Sequence, residues 1–351
     1  MLPLSVFKNA LKYCTIRIGL EITSIPLLSH FFPSASGRGV IFTLHHVRPT
    51  KAADFDPNDI LSITPEFLEV AICAAQERGL IPVHLHDIPA LLSDPTDNRK
   101  FFAFTLDDGY KNNAEFAAPV FRKFNIPYTV FITPGFVSRT RTIWWETAAR
   151  LTQEVTSFSF DFGTGIENVR CKTRTDKSTA FRRLADFVQS IDEDLAVQKI
   201  DDAAKSCQIN PLAIVDELVM TELDIKSLAS DPLAHIGAHT INHVNLRRIS
   251  PRRLKREVEN SISQVQKITG QRPLSFAYPY GWKTAVSQHQ TTAVAAAGIR
   301  AAVTTQPGVL TLDGLKRPEE LPRISLNGKY QKRRYVNSLM SGLPFILFNR
   351  K

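Results

Sequence analysis

Four cysteines in 351 residues are too few and too scattered for a covalent framework. Cys14, Cys73, Cys171 and Cys207 form no CxxC pair, which argues against a zinc ribbon or redox motif and leaves separate buried or partly buried thiols. Long apolar runs are also missing. Behind Lys8, Lys12 and Arg17, the stretch from Ile16 to Phe32 is interrupted by Glu21, Pro26 and His30. It is too broken to span a bilayer and lacks the compact apolar centre of a signal peptide. Residues 1–37 therefore read as a helical segment, packed on the domain or lying on a membrane surface, and the expected location is the cytoplasm or the cytoplasmic membrane face. The tail, 331–351, has the same basic and apolar character in Leu343-Pro344-Phe345-Ile346-Leu347-Phe348-Asn349-Arg350-Lys351. Fixed-period repeats and low-complexity tracts are absent. With 43% hydrophobic and 22% charged residues, wholesale disorder and a polytopic membrane protein are excluded. Acidic residues are in deficit, giving a net charge of +9. Such a surface suits acidic polymers or anionic lipid, while no aromatic-basic motif supports nucleic-acid binding.

Short β-branched and aromatic runs alternate with helical patterns. Val40–Leu44, Phe101–Leu106, Tyr128–Ile132, Ala234–Ala238, Leu274–Tyr278 and Ala301–Thr304 read as strands, with a weaker one at Leu80–Leu85. Thr64, Pro65 and Glu66 start a helix that Gly79 ends. Residues 112–124 look helical with a break at Pro119. Ser250 and Pro251 start a helix with the apolar stripe Leu254, Val258, Ile262, Val265 and Ile268, ended by Gly270. A helix is also expected over 284–297. Between these halves the strand signal fades after Phe158–Phe162, and charged helical segments at 177–191 and 192–208 dominate. The organisation is thus 38–139 and 232–330 as two parts of one α/β body, with a helical insertion or cap at 140–231. Alternating strands and helices imply a parallel sheet, open or closed, with chemistry at the carboxyl ends of the strands.

Polar clusters stand at those ends: His45-His46, Asp107-Asp108-Gly109, His239 with His243, and Pro279-Tyr280-Gly281. Adjacent carboxylates ending an apolar strand repel each other and lose solvation, a conflict that a cation relieves, leaving the second carboxylate free as a base. Two histidines four apart lie on one face if the segment is a helical turn. Together with Asp108 they make a two-histidine, one-carboxylate set suited to zinc or another first-row metal.

The set Phe104-Thr105-Leu106-Asp107-Asp108-Gly109, His239-Thr240-Ile241-Asn242-His243 and Phe276-Ala277-Tyr278-Pro279-Tyr280-Gly281 resembles the polysaccharide deacetylase family, which includes the nodulation protein B-like chitooligosaccharide deacetylases. The likeness covers about residues 38–135 and 232–327, not the insertion. It implies a deformed (β/α) barrel with a helical insertion. It also implies metal-dependent hydrolysis of the N-acetyl group of N-acetylhexosamine units, with zinc first and cobalt, manganese or nickel as substitutes. Asp107 would be the base, and Asp108, His239 and His243 the metal ligands. Tyr110, Tyr278, Pro279, Tyr280 and Trp145 are the expected substrate contacts.

Two departures stand out. The third motif has Ala277 where many members carry an arginine that orients the base; Arg272, Arg317 or Arg323 could supply the charge, and Arg323 is the preferred candidate. A late Leu-x-His is absent, whereas Leu44-His45-His46-Val47 matches the early Tyr-His-x-Val of exopolysaccharide-type members except for the tyrosine, which makes His45 the candidate general acid. Alternative readings are a deacetylase or deformylase of a lipid-linked sugar and a glycan-binding module with weak catalysis. Trp144-Trp145-Glu146 would stack on a sugar ring or anchor the cap. The cluster Arg247, Arg248, Arg252, Arg253, Lys255 and Arg256 would meet an acidic partner or form a solvated helix face.

Overall fold

In the computed structural model, which describes residues 4–25, 32–49, 55–94 and 96–348, seven parallel strands close into a barrel. They are β1 (Gly39–Leu44), β2 (Phe101–Leu106), β3 (Tyr128–Ile132), β4 (Ala234–Ala238), β5 (Ser275–Ala277), β6 (Ala301–Pro307) and β7 (Leu321–Ser325). Each pairs with the next in sequence, and β1 pairs with both β7 and β2 to complete the ring. The runs of β1, β2 and β3 are buried at every position, because helices cover the outer face and side chains fill the inner one. Alternation sorts the two faces. Ile41, Phe101, Ala103, Phe131, Ala277, Ala301, Val303 and Leu321 form the inner apolar layer, closed at the amino end by Leu85, Ile88 and Leu92. Thr105, Asp107 and Arg323 continue the inward rows of β2 and β7.

The two helices that hold the body were legible. Thr64 Oγ1 accepts from Phe67 N at 3.1 Å and caps α1 (Pro65–Glu77). The apolar stripe of the Pro251–Thr269 helix is buried throughout, and Gly270 ends it in the left-handed region. Elsewhere the expectations need correction. The strand expected at 80–85 is only Ile81–Pro82, paired outside the ring to β2, since Pro82 offers no donor and the chain then turns into a short helix. The helix expected over 112–124 is a π-helical turn at Asn113–Ala117 followed by Ala118–Phe124. The helix expected over 284–297 begins at Gln288. Strand β7 was not read as a strand, because Pro322 and Arg323 interrupt its apolar character.

The insertion holds five helices: α2 (Trp144–Glu154), α3 (Arg174–Ser190), α4 (Glu193–Ser206), Pro211–Leu218 and Glu222–Ala229. It also holds an antiparallel hairpin, Ser157–Asp161 with Ile166–Arg170, in which Phe158 and Phe160 face the core. The basic cluster fastens this insertion. Arg248 donates to the Val188 and Ile191 carbonyls near the end of α3, and Arg253 pairs with Asp194 at 2.6 Å. The thiols are all free, and Cys14 is exposed rather than partly buried.

Candidate active site

Asp107 follows the inward row of β2. Its carboxylate is 3% exposed and accepts two hydrogen bonds of 2.7 Å from Nη1 and Nη2 of Arg323, which is 1% exposed. Arg323 Nη1 also donates to Thr105 Oγ1 and Nε to the Thr304 carbonyl. The guanidinium is thus locked in one pose from the neighbouring side of the ring. Burial pushes Asp107 up, but the Arg323 charge and its hydrogen bonds outweigh it and hold the carboxyl well below the usual range. Arg272 donates to the Ala297 carbonyl and Arg317 to Glu320, both away from Asp107.

Asp108 would point outward if the strand simply continued. A left-handed backbone, φ 73°, turns it back, and Gly109 at φ 70° completes the bend. Its Oδ1 lies 3.6 Å from His239 Nε2 and 3.5 Å from His243 Nε2. Those spacings are too long for good hydrogen bonds, and Oδ1 is buried without a hydrogen-bond partner. They match the roughly 3.3–3.6 Å between donors sharing one tetrahedral ion. Burial and the charges of Asp107 and Glu146 push Asp108 well above the ordinary carboxylate range, a penalty that a cation removes. His239 Nδ1 donates to the Ala277 carbonyl at 2.7 Å, leaving Nε2 free toward Asp108. Burial lowers the pKa of both histidines, His243 the more, so each is a neutral imidazole ready to ligate. The three side chains fit a divalent ion.

The histidine pair is not on a helical turn, as its spacing suggested. Thr240 and His243 have φ of 61° and 52°, and Thr240 Oγ1 accepts from His243 N at 2.9 Å. Glu257, on the Pro251–Thr269 helix, accepts from the backbone of Ile241 and Asn242 at 2.9 and 3.0 Å and from the Asn242 amide at 3.0 Å. Gly135 lies beneath the same loop. Its N–H donates to the Ile241 carbonyl, and a Cβ there would sit 2.6 Å from that oxygen. Glu257 was not anticipated. Its signal in the sequence was a carboxylate three residues after Leu254 on the buried stripe.

The insertion supplies one wall. Trp145 is 8% exposed, packs its ring 4.7 Å from that of His243 and donates Nε1 to Tyr110 Oη at 2.9 Å. Trp144 Nε1 donates to Tyr280 Oη, which donates at 2.6 Å to Glu193. The other Glu193 oxygen accepts from Asn245 N. Glu193 too was not anticipated. The tryptophans therefore anchor the cap against the site. Tyr110 and Tyr278 are buried outright, with hydroxyls engaged by Trp145 and by the Glu319 carbonyl. Pro279 is buried and Tyr280 half-buried beside His243.

The two early histidines part company. His46 is buried, its ring tilted against that of Tyr110, with Asn112 Nδ2 at 2.8 Å from Nδ1 and Glu146 Oε1 at 3.4 Å from Nε2. Asn112 Oδ1 accepts from Val47 N, which fixes the amide orientation and leaves the ring proton on Nε2. Burial raises Glu146, but His46 and Arg48 bring it below its ordinary value. His45 is half-buried; burial lowers its pKa to about 4, against the attraction of Asp107.

Residues 204–302 match the family model described as polysaccharide deacetylase. No curated protein matches. Among solved structures, the fold is shared with the Streptococcus pyogenes deacetylase PplD, at 14% identity and TM-score 0.52 over 82% of this chain and 92% of that one. It is shared with BC0361, a polysaccharide deacetylase from Bacillus cereus, at 15% and 0.52 over 86% and 68%. IcaB from Ammonifex degensii matches at 14% and 0.50 over 83% and 92%. The match of residues 204–302 to the polysaccharide deacetylase model thus falls on a closed barrel whose fold is shared with solved polysaccharide deacetylases.

Proposed function

We propose that the protein hydrolyses the N-acetyl group of N-acetylhexosamine units in a glycan or glycoconjugate, using a divalent metal and Asp107 as base. The observation that carries this reading is the side-by-side placement of a buried, arginine-fixed carboxylate and an orphaned carboxylate facing two neutral imidazoles. A binding-only module has no use for the first beside the second.

Asp108, His239 and His243 would hold the ion, most simply zinc. Such an ion polarises an amide carbonyl and acidifies water. Asp107, kept ionised by Arg323, accepts the proton of the attacking water while Arg323 keeps both carboxylate oxygens in place. The departing amine needs a proton, because an amide anion is a very poor leaving group. His45, within the field of Asp107 and neutral at pH 7, would take up the proton that Asp107 removes from the water and pass it to the amine. Trp145 and Tyr280 close the chamber around His243 and limit water.

Acetate release from N-acetylglucosamine oligomers, with zinc or cobalt and then with chelator, tests the reading. Chelation should abolish release, and metal should restore it. Asp107→Ala should abolish turnover while metal still binds, and Asp108→Ala should abolish both. Full activity in both variants would remove the assignment.

A further inference from the structure

The helix Leu4–Thr23 has two apolar faces, and the fold uses only one. Gly19, Leu20 and Thr23 are buried. Thr23 Oγ1 lies 2.6 Å from Ser338 Oγ, Glu21 pairs with Arg334, and Tyr330 Oη donates to the Tyr13 carbonyl. The opposite face carries Cys14, Ile18 and Ile22, with Ile25 just beyond the helix end; at a turn of 100° per residue they fall within about 80° of arc. All four are exposed, Ile18 at 59%, Ile22 at 46% and Ile25 at 51%. In the sequence Leu4, Phe7 and Leu11 continue the same spacing upstream. Basic positions flank the stripe, exposed Arg17 on one side and Lys8 on the other by its place in the sequence.

Beside this helix opens a cavity of about 530 Å³, lined by Ile16, Leu20, Leu326, Val336, Leu339 and Phe345. It adjoins the Ser325–Asn327 segment, just past the carboxyl end of β7. Ile346, on the neighbouring Leu343–Phe348 helix, is also exposed. Isoleucines standing in water at helical spacing, bordered by cations on a chain of net charge +9, have the make-up of a segment lying in a lipid headgroup layer. No helix among the described residues is long and apolar enough to cross one.

We infer that the outer face of the Leu4–Thr23 helix is a docking surface for an anionic lipid bilayer. Docking there sets the carboxyl end of β7, and with it the mouth of the barrel, next to the membrane. The inference stands apart from the catalytic reading and is tested without turnover.

The full chain is floated with vesicles of phosphatidylcholine and phosphatidylglycerol, and with phosphatidylcholine alone. The expected result is partitioning onto the anionic vesicles, weakened by salt. Ile18→Asp with Ile22→Asp should lower it roughly tenfold or more, and Arg17→Glu should lower it less. Ile18→Ser with Ile22→Ser, a milder change at exposed sites, guards against misfolding and should also reduce binding while the circular dichroism melt is kept. Equal partitioning of the wild type and the isoleucine variants overturns the inference. So does a wild-type chain that ignores both vesicle types. So does a wild-type dimer that these substitutions convert to monomer, which would assign the face to a second copy of the chain.

Discussion

The pair Asp107–Arg323 offers the sharpest test of how the barrel holds its site. In Arg323→Met the side chain keeps most of its apolar length and loses four donated hydrogen bonds. Both oxygens of Asp107, the Thr304 carbonyl and the Thr105 hydroxyl lose the bonds that Arg323 donates to them. An ionised carboxylate, 3% exposed in the wild type, would then lack its paired guanidinium. Breaking one side of a buried pair costs about 3–5 kcal/mol, which urea unfolding of the metal-free protein would read. Removing both charges costs less. Asp107→Asn with Arg323→Met should recover at least about 2 kcal/mol of that loss, a coupling that a double-mutant cycle isolates. Catalysis should fail in both, for lack of a fixed base. If Arg323→Met unfolds within about 1 kcal/mol of wild type, the loss is that of an ordinary substitution, and the claim that Arg323 fixes Asp107 fails.

Glu257→Ala leaves the Ile241 and Asn242 amides without their acceptor and should weaken metal binding about 10–100-fold, read by competition with a chromogenic chelator; unchanged affinity would show that the loop holds itself. Gly135→Ala drives a Cβ toward the Ile241 carbonyl, and the same titration should show weaker binding, together with a lower melting temperature. Tyr280→Phe deprives buried Glu193 of its 2.6 Å donor, and unfolding should register a loss of about 1–3 kcal/mol. At the opposite end of the barrel, His84, His86 and His235 crowd together, with ring centroids 5.2 and 4.5 Å apart along the row. Burial depresses all three, His235 from 6.5 to about 3, with Asp87 favouring charge on His84 and His86 and Arg300 opposing it on His86. The unfolded chain therefore takes up more protons, and stability should fall as pH drops from 6.5 toward 3; His235→Phe should flatten that slope, and an unaltered slope would refute the assignment.

Strand-like runs buried on both faces announced most of the barrel, because a parallel sheet covered by helices has no need of alternation. What escaped was β7, whose pairing comes from the closure of the ring rather than from its own residues. The candidate ligand set of Asp108, His239 and His243 could be placed together because strand ends converge. The conformations that converge them could not, since the left-handed residues at Asp108, Thr240 and His243 are fixed by neighbours distant in sequence. Ala277 opposite Arg323 makes the same point. A charge missing from one strand is supplied by another, and only the inward row of β7 shows which arginine reaches. Glu193 was hidden among many surface carboxylates, and Glu257 showed only by its place beside a buried stripe; burial sets both apart.

The wall contributed by the insertion has a consequence for engineering. Trp145, Glu146 and Glu193 belong to the insertion, yet each bonds to or packs on a residue of the barrel loops. Excising residues 140–231 would strip the ring packed on His243 and leave His46, Tyr110 and Tyr280 with unpaired polar atoms, so a minimal barrel would have to be redesigned rather than trimmed. Among the described residues, the outer faces of α3 and the hairpin carry no such ties to the chamber.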